Sequence, residues 1–146
     1  MAAFLFSMQA FTQGRQALLV IDIQNFYFPG GRSELVEPGK AALKAADAIK
    51  HMHTLNLPVI YIQHKATAGM EINEIVKPAD GDRIFVKEEV NSFLDTGLDE
   101  YLKSLGIETL VICGMQTHMC VEAAVRAGHD LGYKVILLHD ACATRN

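Results

Sequence analysis

Five short apolar runs constrain this chain more than any other feature: ALLVIDI (17–23), PVIYIQ (58–63), RIFVK (83–87), TLVICG (109–114) and KVILLHD (134–140). Polar residues hardly interrupt them. A strand with one wet face alternates apolar and polar residues, whereas a strand covered on both faces reads as a continuous Val/Ile/Leu run. Helical patterns separate most of the runs. Residues 38–55 open on Pro38, carry Ala42, Ala46 and Ile49 at helical spacing, and leave the pattern before Pro58. LDEYLKSLG is a shorter helix closed by Gly106, and Thr117 to Gly132 is a third whose Ala123, Ala124, Ala127 and Gly128 offer a small-residue face to a sheet. Strands alternating with helices predict a parallel sheet with right-handed crossovers, hence a three-layer, doubly wound, Rossmann-like α/β domain. The segment from 63 to 83 lacks a strong helical pattern and is expected to be a loop over the site with a short helix.

Composition narrows the partners. The chain has 146 residues and a formal net charge of −4, and no Lys or Arg adjoins another, so nucleic acid is excluded for want of clustered positive charge. No segment reaches the roughly 20 apolar residues of a membrane helix. The opening MAAFLFSMQAF has no basic residue before Arg15 and a broken apolar stretch, so it is read as an extension rather than a targeting segment. The expected organisation is an extension over 1–16 and one domain over 17–146. Three cysteines at irregular spacing fit reduced thiols and a cytoplasmic protein. Sheets of this kind commonly gain a further crossover and strand, about 30 residues, beyond the point where this sequence stops. The last strand is therefore expected to be an open edge lacking that final helix and strand, either covered in a homo-oligomer or left bare in a truncated form of a longer chain.

Ligands in doubly wound sheets bind beyond the carboxyl ends of the strands. Those ends deliver Asp22, then Gln63 and His64, then Lys87, then GMQTHMC, then Asp140. Asp22 leaves a buried strand, so it must be paired or shifted in pKa; a cap or a structural carboxylate is the plainer alternative. Thr117 is a good N-cap, which would set Cys120 in the first helical turn, where the dipole and free N–H groups favour thiolate and could hold an oxyanion. A buried core thiol is the plainer reading of Cys120, and Cys113 is most simply a core residue. His118 stands two residues from Cys120 and diverges from it on a helix. The spacing offers no zinc site, since neither Cys-x2-Cys nor His-x3-His occurs. His51 and His53 are read as solvated. Lys87 sits on a strand expected to neighbour that of Asp22, where it could lower the thiol pKa.

Asp at the end of the first strand, Lys at the end of the third and Cys at the start of the helix after the fourth resemble the isochorismatase-like cysteine hydrolase superfamily. That group includes nicotinamidases and N-carbamoylsarcosine amidase. LLVIDIQNFYFPGG, VKEEVNSFLDTGL and LVICGMQTHMCVEAAVRAGHDLGYKVILLHDACATR carry the resemblance. It implies a catalytic triad of Asp22, Lys87 and Cys120. It also implies a cis peptide between Met115 and Gln116 that turns the N–H groups of Gln116 and Cys120 toward a substrate oxygen. Tyr27 and Phe93 fall at positions that wall the pocket, and Gln63 and His64 are candidate substrate contacts.

The sequence departs from the family at informative places. Phe26 replaces a common Asp, making the entrance less polar. Nicotinamidases hold a metal through Asp-x-His after the second strand, but this chain reads QHKATAGM there, so no metal and no cofactor are expected. The function implied is hydrolysis of a C–N amide-type bond in a small molecule through a thioester. The alternatives are a non-catalytic interaction protein that keeps the fold and, behind it, a thiol redox protein.

Overall fold

The computed structural model describes residues 14–146. Of the expected N-terminal extension, residues 1–13 lie outside the described residues, while Arg15 and Gln16 already belong to the first strand. Five parallel strands form one sheet: β1 (Arg15–Ile21), β2 (Val59–His64), β3 (Arg83–Lys87), β4 (Ile107–Met115) and β5 (Lys134–Ala143), in the order β3-β2-β1-β4-β5. Three α-helices accompany them, α1 (Pro38–Thr54), α2 (Leu98–Ser104) and α3 (Glu122–Asp130). The architecture is the three-layer α/β arrangement expected, with no strand beyond β5 among the described residues.

β1 explains why the apolar runs do not alternate. Ala17 to Ile21 are all buried, but alternate side chains go to different cores. Leu18 and Val20 join Ala42, Ala45, Ile49 and Met52 of α1 on one face of the sheet. Leu19 and Ile21 join Leu98 and Leu102 of α2 and Ala124 of α3 on the other. Each fully buried side chain of this kind contributes roughly 1.5–3 kcal/mol relative to exposure. Gly128 belongs to the small-residue face: a methyl added there would press on Leu110 of β4.

Three local expectations are corrected. β3 does not neighbour β1, because β2 lies between them; Lys87 reaches Asp22 with its long side chain rather than through strand adjacency. β5 runs on to Ala143 across an irregular register, so Asp140 lies within the strand, exposed, rather than at its end. His53 is not simply solvated. Its Nε2 lies 2.8 Å from Asp82 Oδ1, joining the end of α1 to the turn before β3.

Candidate active site

The carboxyl ends of β1, β3 and β4 converge on one buried point. Asp22 follows β1 with φ 50°, a left-handed conformation that Asp tolerates better than most residues, and its N–H donates to Ile62 O at 2.9 Å. Directly beside it, Gly114 faces Ile21 in the β1–β4 register with φ +132°. A Cβ at Gly114 would overlap the Ile21 carbonyl oxygen, so only glycine lets the two strands approach here. That close approach brings the segment after β4 over Asp22.

The segment after β4 is not the capped helix read from the sequence. Thr117–Val121 form a π-helical turn whose cap position is Gln116, with no side-chain cap. The Gln116 carbonyl accepts from Met119 N at 3.1 Å and Val121 N at 3.3 Å. Such wide turns recur at functional sites because they re-aim a side chain within a helical run. Here the turn carries Cys120, and the preceding Met115–Gln116 peptide is cis.

Lys87 ties the centre together. Its Nζ lies 3.1 Å from Asp22 Oδ2 and 3.3 Å from Cys120 Sγ, and donates to His64 Nδ1 at 2.8 Å and to Glu89 O at 2.9 Å. Asp22 is 0 %, Lys87 1 % and Cys120 4 % exposed. Burial raises the Asp22 pKa above the usual carboxylate range, against the pull of Lys87. Burial also pushes the Cys120 thiol up to about 12, reinforced by the Asp22 charge and opposed by Lys87. The sequence led us to expect a lowered thiol pKa; the balance runs the other way, because loss of water outweighs the nearby ammonium. Cys120 rests as a thiol beside a carboxylate whose proton affinity is raised by its own burial.

The other expected residues divide. Tyr27 sits in a one-turn 3-10 helix (Asn25–Tyr27), buried, with its hydroxyl beside the Gln116 side chain. Burial and the Asp22 charge hold its phenol near 12, so it stays a neutral hydroxyl. Gln63 donates its amide to Met70 O at 2.8 Å and thereby holds the loop. Phe93 stacks on Tyr133 with centroids 6.2 Å apart and packs on the cluster that contains Cys120. Cys113 packs in the cluster on the α1 face and Cys120 in the other, so the sheet separates the two thiols.

Gln24 was missed. Its fully buried amide donates to His64 O and Met70 O and accepts from His64 N, each at 2.8 Å, pinning the end of β2 and the following loop. The only sequence signal was a polar residue two positions beyond Asp22 in an otherwise apolar stretch.

Ligand atoms of Asp22, His64 and Cys120 lie within 4.8 Å of one another, a spacing that could hold a metal ion. The residues do not fit one, because the Lys87 ammonium is already within 2.8–3.3 Å of all three side chains. A groove of about 690 Å³ runs along α3 and β5 past Thr117, Val125 and Leu137 and includes none of the three central residues. No helix among the described residues is long and apolar enough to cross a membrane.

Comparison with known proteins agrees with this fold. The isochorismatase domain matches residues 16–146. The isochorismatase family protein YddQ of Bacillus subtilis (strain 168) is 42% identical over 139 residues, covering 88% of this chain and 77% of YddQ. The ureidoacrylate amidohydrolase RutB of Enterobacter sp. (strain 638) is 33% identical over 130 residues, covering 85% of this chain and 54% of RutB. The crystal structure of N-carbamoylsarcosine amidase from Thermoplasma acidophilum superposes with a TM-score of 0.84 at 28% identity, covering 90% of this chain and 85% of that one. With a matching domain over nearly its whole length, the chain belongs to the isochorismatase family.

Proposed function

We propose that the protein is a cysteine hydrolase that cleaves a C–N amide-type bond of a small molecule. The observation that carries this reading is the meeting of Asp22, Lys87 and Cys120 in a centre closed to bulk water. Asp22 takes the Cys120 proton, and the thiolate attacks the carbonyl carbon to give a tetrahedral oxyanion. Backbone N–H groups of Gln116 and Cys120 support that oxygen. Asp22 then protonates the departing nitrogen, and the C–N bond breaks to leave a thioester. Water, deprotonated by Asp22, hydrolyses the thioester and restores the thiol. Lys87 stays protonated and balances whichever neighbour carries the negative charge. Tyr27 and Phe93 wall the substrate space, and the names of RutB and N-carbamoylsarcosine amidase support an amide rather than an ether bond.

One observation favours a second reading, a binding protein that keeps the fold without turnover: Cys120 is only 4 % exposed. A screen for ammonia or amine release over small amides, carbamoyl compounds and ureides separates the two. Turnover that disappears in Cys120→Ala supports the hydrolase, and no release from any class supports the binding protein. A homo-oligomer is part of the proposal, because Ile84 and Val86 on β3 and Ile136 and Leu137 on β5 leave apolar side chains exposed on both edge strands. Light scattering that gives the monomer mass at working concentration would refute it.

A further inference from the structure

A protonated lysine has three N–H donors and accepts nothing. Lys87 Nζ has four acceptors within reach: His64 Nδ1 at 2.8 Å, Glu89 O at 2.9 Å, Asp22 Oδ2 at 3.1 Å and Cys120 Sγ at 3.3 Å. The two shortest belong to groups with no part in the chemistry proposed above. The two longest belong to the groups that exchange a proton.

We propose that His64 is a positioning residue: its imidazole and the Glu89 carbonyl take two of the Lys87 N–H groups, leaving one to serve Asp22 and Cys120 in turn. When Asp22 carries the charge, that N–H faces the carboxylate. When Cys120 becomes the thiolate, it turns to sulfur, 3.3 Å from Nζ, while the two anchors hold Nζ in place. Without an anchor the ammonium settles on the carboxylate, the stronger partner, and deserts the sulfur. This inference rests on the hydrolase reading for its purpose but can be tested without any substrate.

The fold prepares His64 for this task. The β2–β3 register sets it opposite Lys87, and Gln24 clamps its backbone on both sides, at N and at O. To accept at Nδ1 the ring must be neutral, with its proton on Nε2. The charged or titratable groups that act on it are Lys87 on β3, Asp22 after β1 and Glu89 after β3, with Cys120 of the π turn in the same cluster. Burial and Lys87 lower its pKa, while Asp22 and Glu89 oppose them, so the neutral ring persists below the ordinary histidine range. Protonation would remove the acceptor and set a second cation against the ammonium.

The test is the rate at which iodoacetamide alkylates Cys120, followed by peptide mass spectrometry between pH 4.5 and 8.5 so that Cys113 and Cys142 are counted apart. His64→Asn keeps an acceptor near the Nδ1 position but does not titrate; His64→Leu fills the space with no acceptor. The wild-type acid limb should be steeper than that of His64→Asn by one unit of slope. At pH 7.5 His64→Asn should label within about threefold of wild type, and His64→Leu at least tenfold more slowly, with both variants folded by circular dichroism. Equal rates for His64→Leu and wild type, or identical acid limbs for wild type and His64→Asn, would overturn the proposal. Should His64→Leu fail to fold, the slope comparison with His64→Asn decides alone. Absence of turnover in the amide screen would refute the hydrolase reading while leaving these alkylation results in force.

Discussion

Replacing Lys87 by Met removes the ammonium from the buried centre but keeps most of the stem volume. In the wild type Asp22 and Lys87 are 0 % and 1 % exposed and 3.1 Å apart, so the variant leaves a carboxylate without a counter-charge in a dry site. An uncompensated buried charge of this kind costs about 3–5 kcal/mol if it stays ionised. Asp22 can escape by taking a proton, and its pKa is already raised by burial with Lys87 pulling the other way. Removing that pull raises it further. A carboxyl whose folded pKa exceeds its unfolded value binds more protons when folded, so its stability is present at low pH and lost as pH rises toward the folded pKa. The destabilisation of Lys87→Met should therefore be smallest near pH 5 and grow by up to about 1.4 kcal/mol per pH unit, to a ceiling of about 3–5 kcal/mol by pH 8. His64 works in the same direction: Lys87 lowers its pKa, so the variant also loses a penalty that the wild type carries at low pH. Urea unfolding of both proteins at pH 5, 6, 7 and 8, read by circular dichroism, gives the difference directly. A gap that stays constant across that range, or no gap at pH 8, would refute the electrostatic account of this centre.

Cys120→Ala should abolish turnover with the urea midpoint almost unchanged, whereas Cys113→Ser should keep turnover and lose about 1–3 kcal/mol, the cost of a poorly paired hydroxyl in the α1-side core; the opposite pattern would reverse the two thiols' roles. Gly114→Ala must displace β4 from β1 at the Ile21 carbonyl, so both stability and activity should fall, stability by about 2–5 kcal/mol from overpacking and backbone strain together. Normal melting with normal turnover would show that the strand contact is looser than described. Metal analysis of the purified protein should find no stoichiometric zinc, and strong chelators should leave turnover unchanged, because Lys87 holds the position a cation would take; one tightly bound ion per chain would contradict this.

Local chemistry wrote the strands plainly. Ala17 to Ile21 need two apolar faces wherever they sit, so the run is readable without knowing its neighbours. Strand order is a different matter, since nothing within RIFVK says that β2 will stand between it and β1. The reach of Lys87 across that gap makes the triad possible despite the misplaced strand. Thr117 has the chemistry of a cap, yet the close packing of β4 on β1 and the bonds to the Gln116 carbonyl choose a wide turn instead. Burial likewise reversed the expected lowering of the thiol pKa, a consequence of how much water the assembled fold excludes around Cys120. His53 with Asp82 and Gln24 with His64 pair residues 29 and 40 positions apart, and no spacing rule links such distant positions.

The strand order also divides the molecule in a useful way. β1, α1 and β2 form one contiguous stretch that carries Asp22 and His64, and everything after the exposed turn near Gly81 carries Lys87 and Cys120. In the sheet the later stretch embraces the earlier one, with β3 on one flank and β4 on the other. Cut at that turn, each fragment would hold half of the buried centre and bare strand edges shaped for the other half. Cys120 reactivity would then report whether two polypeptides had found each other, making this fold a ready scaffold for a split sensor.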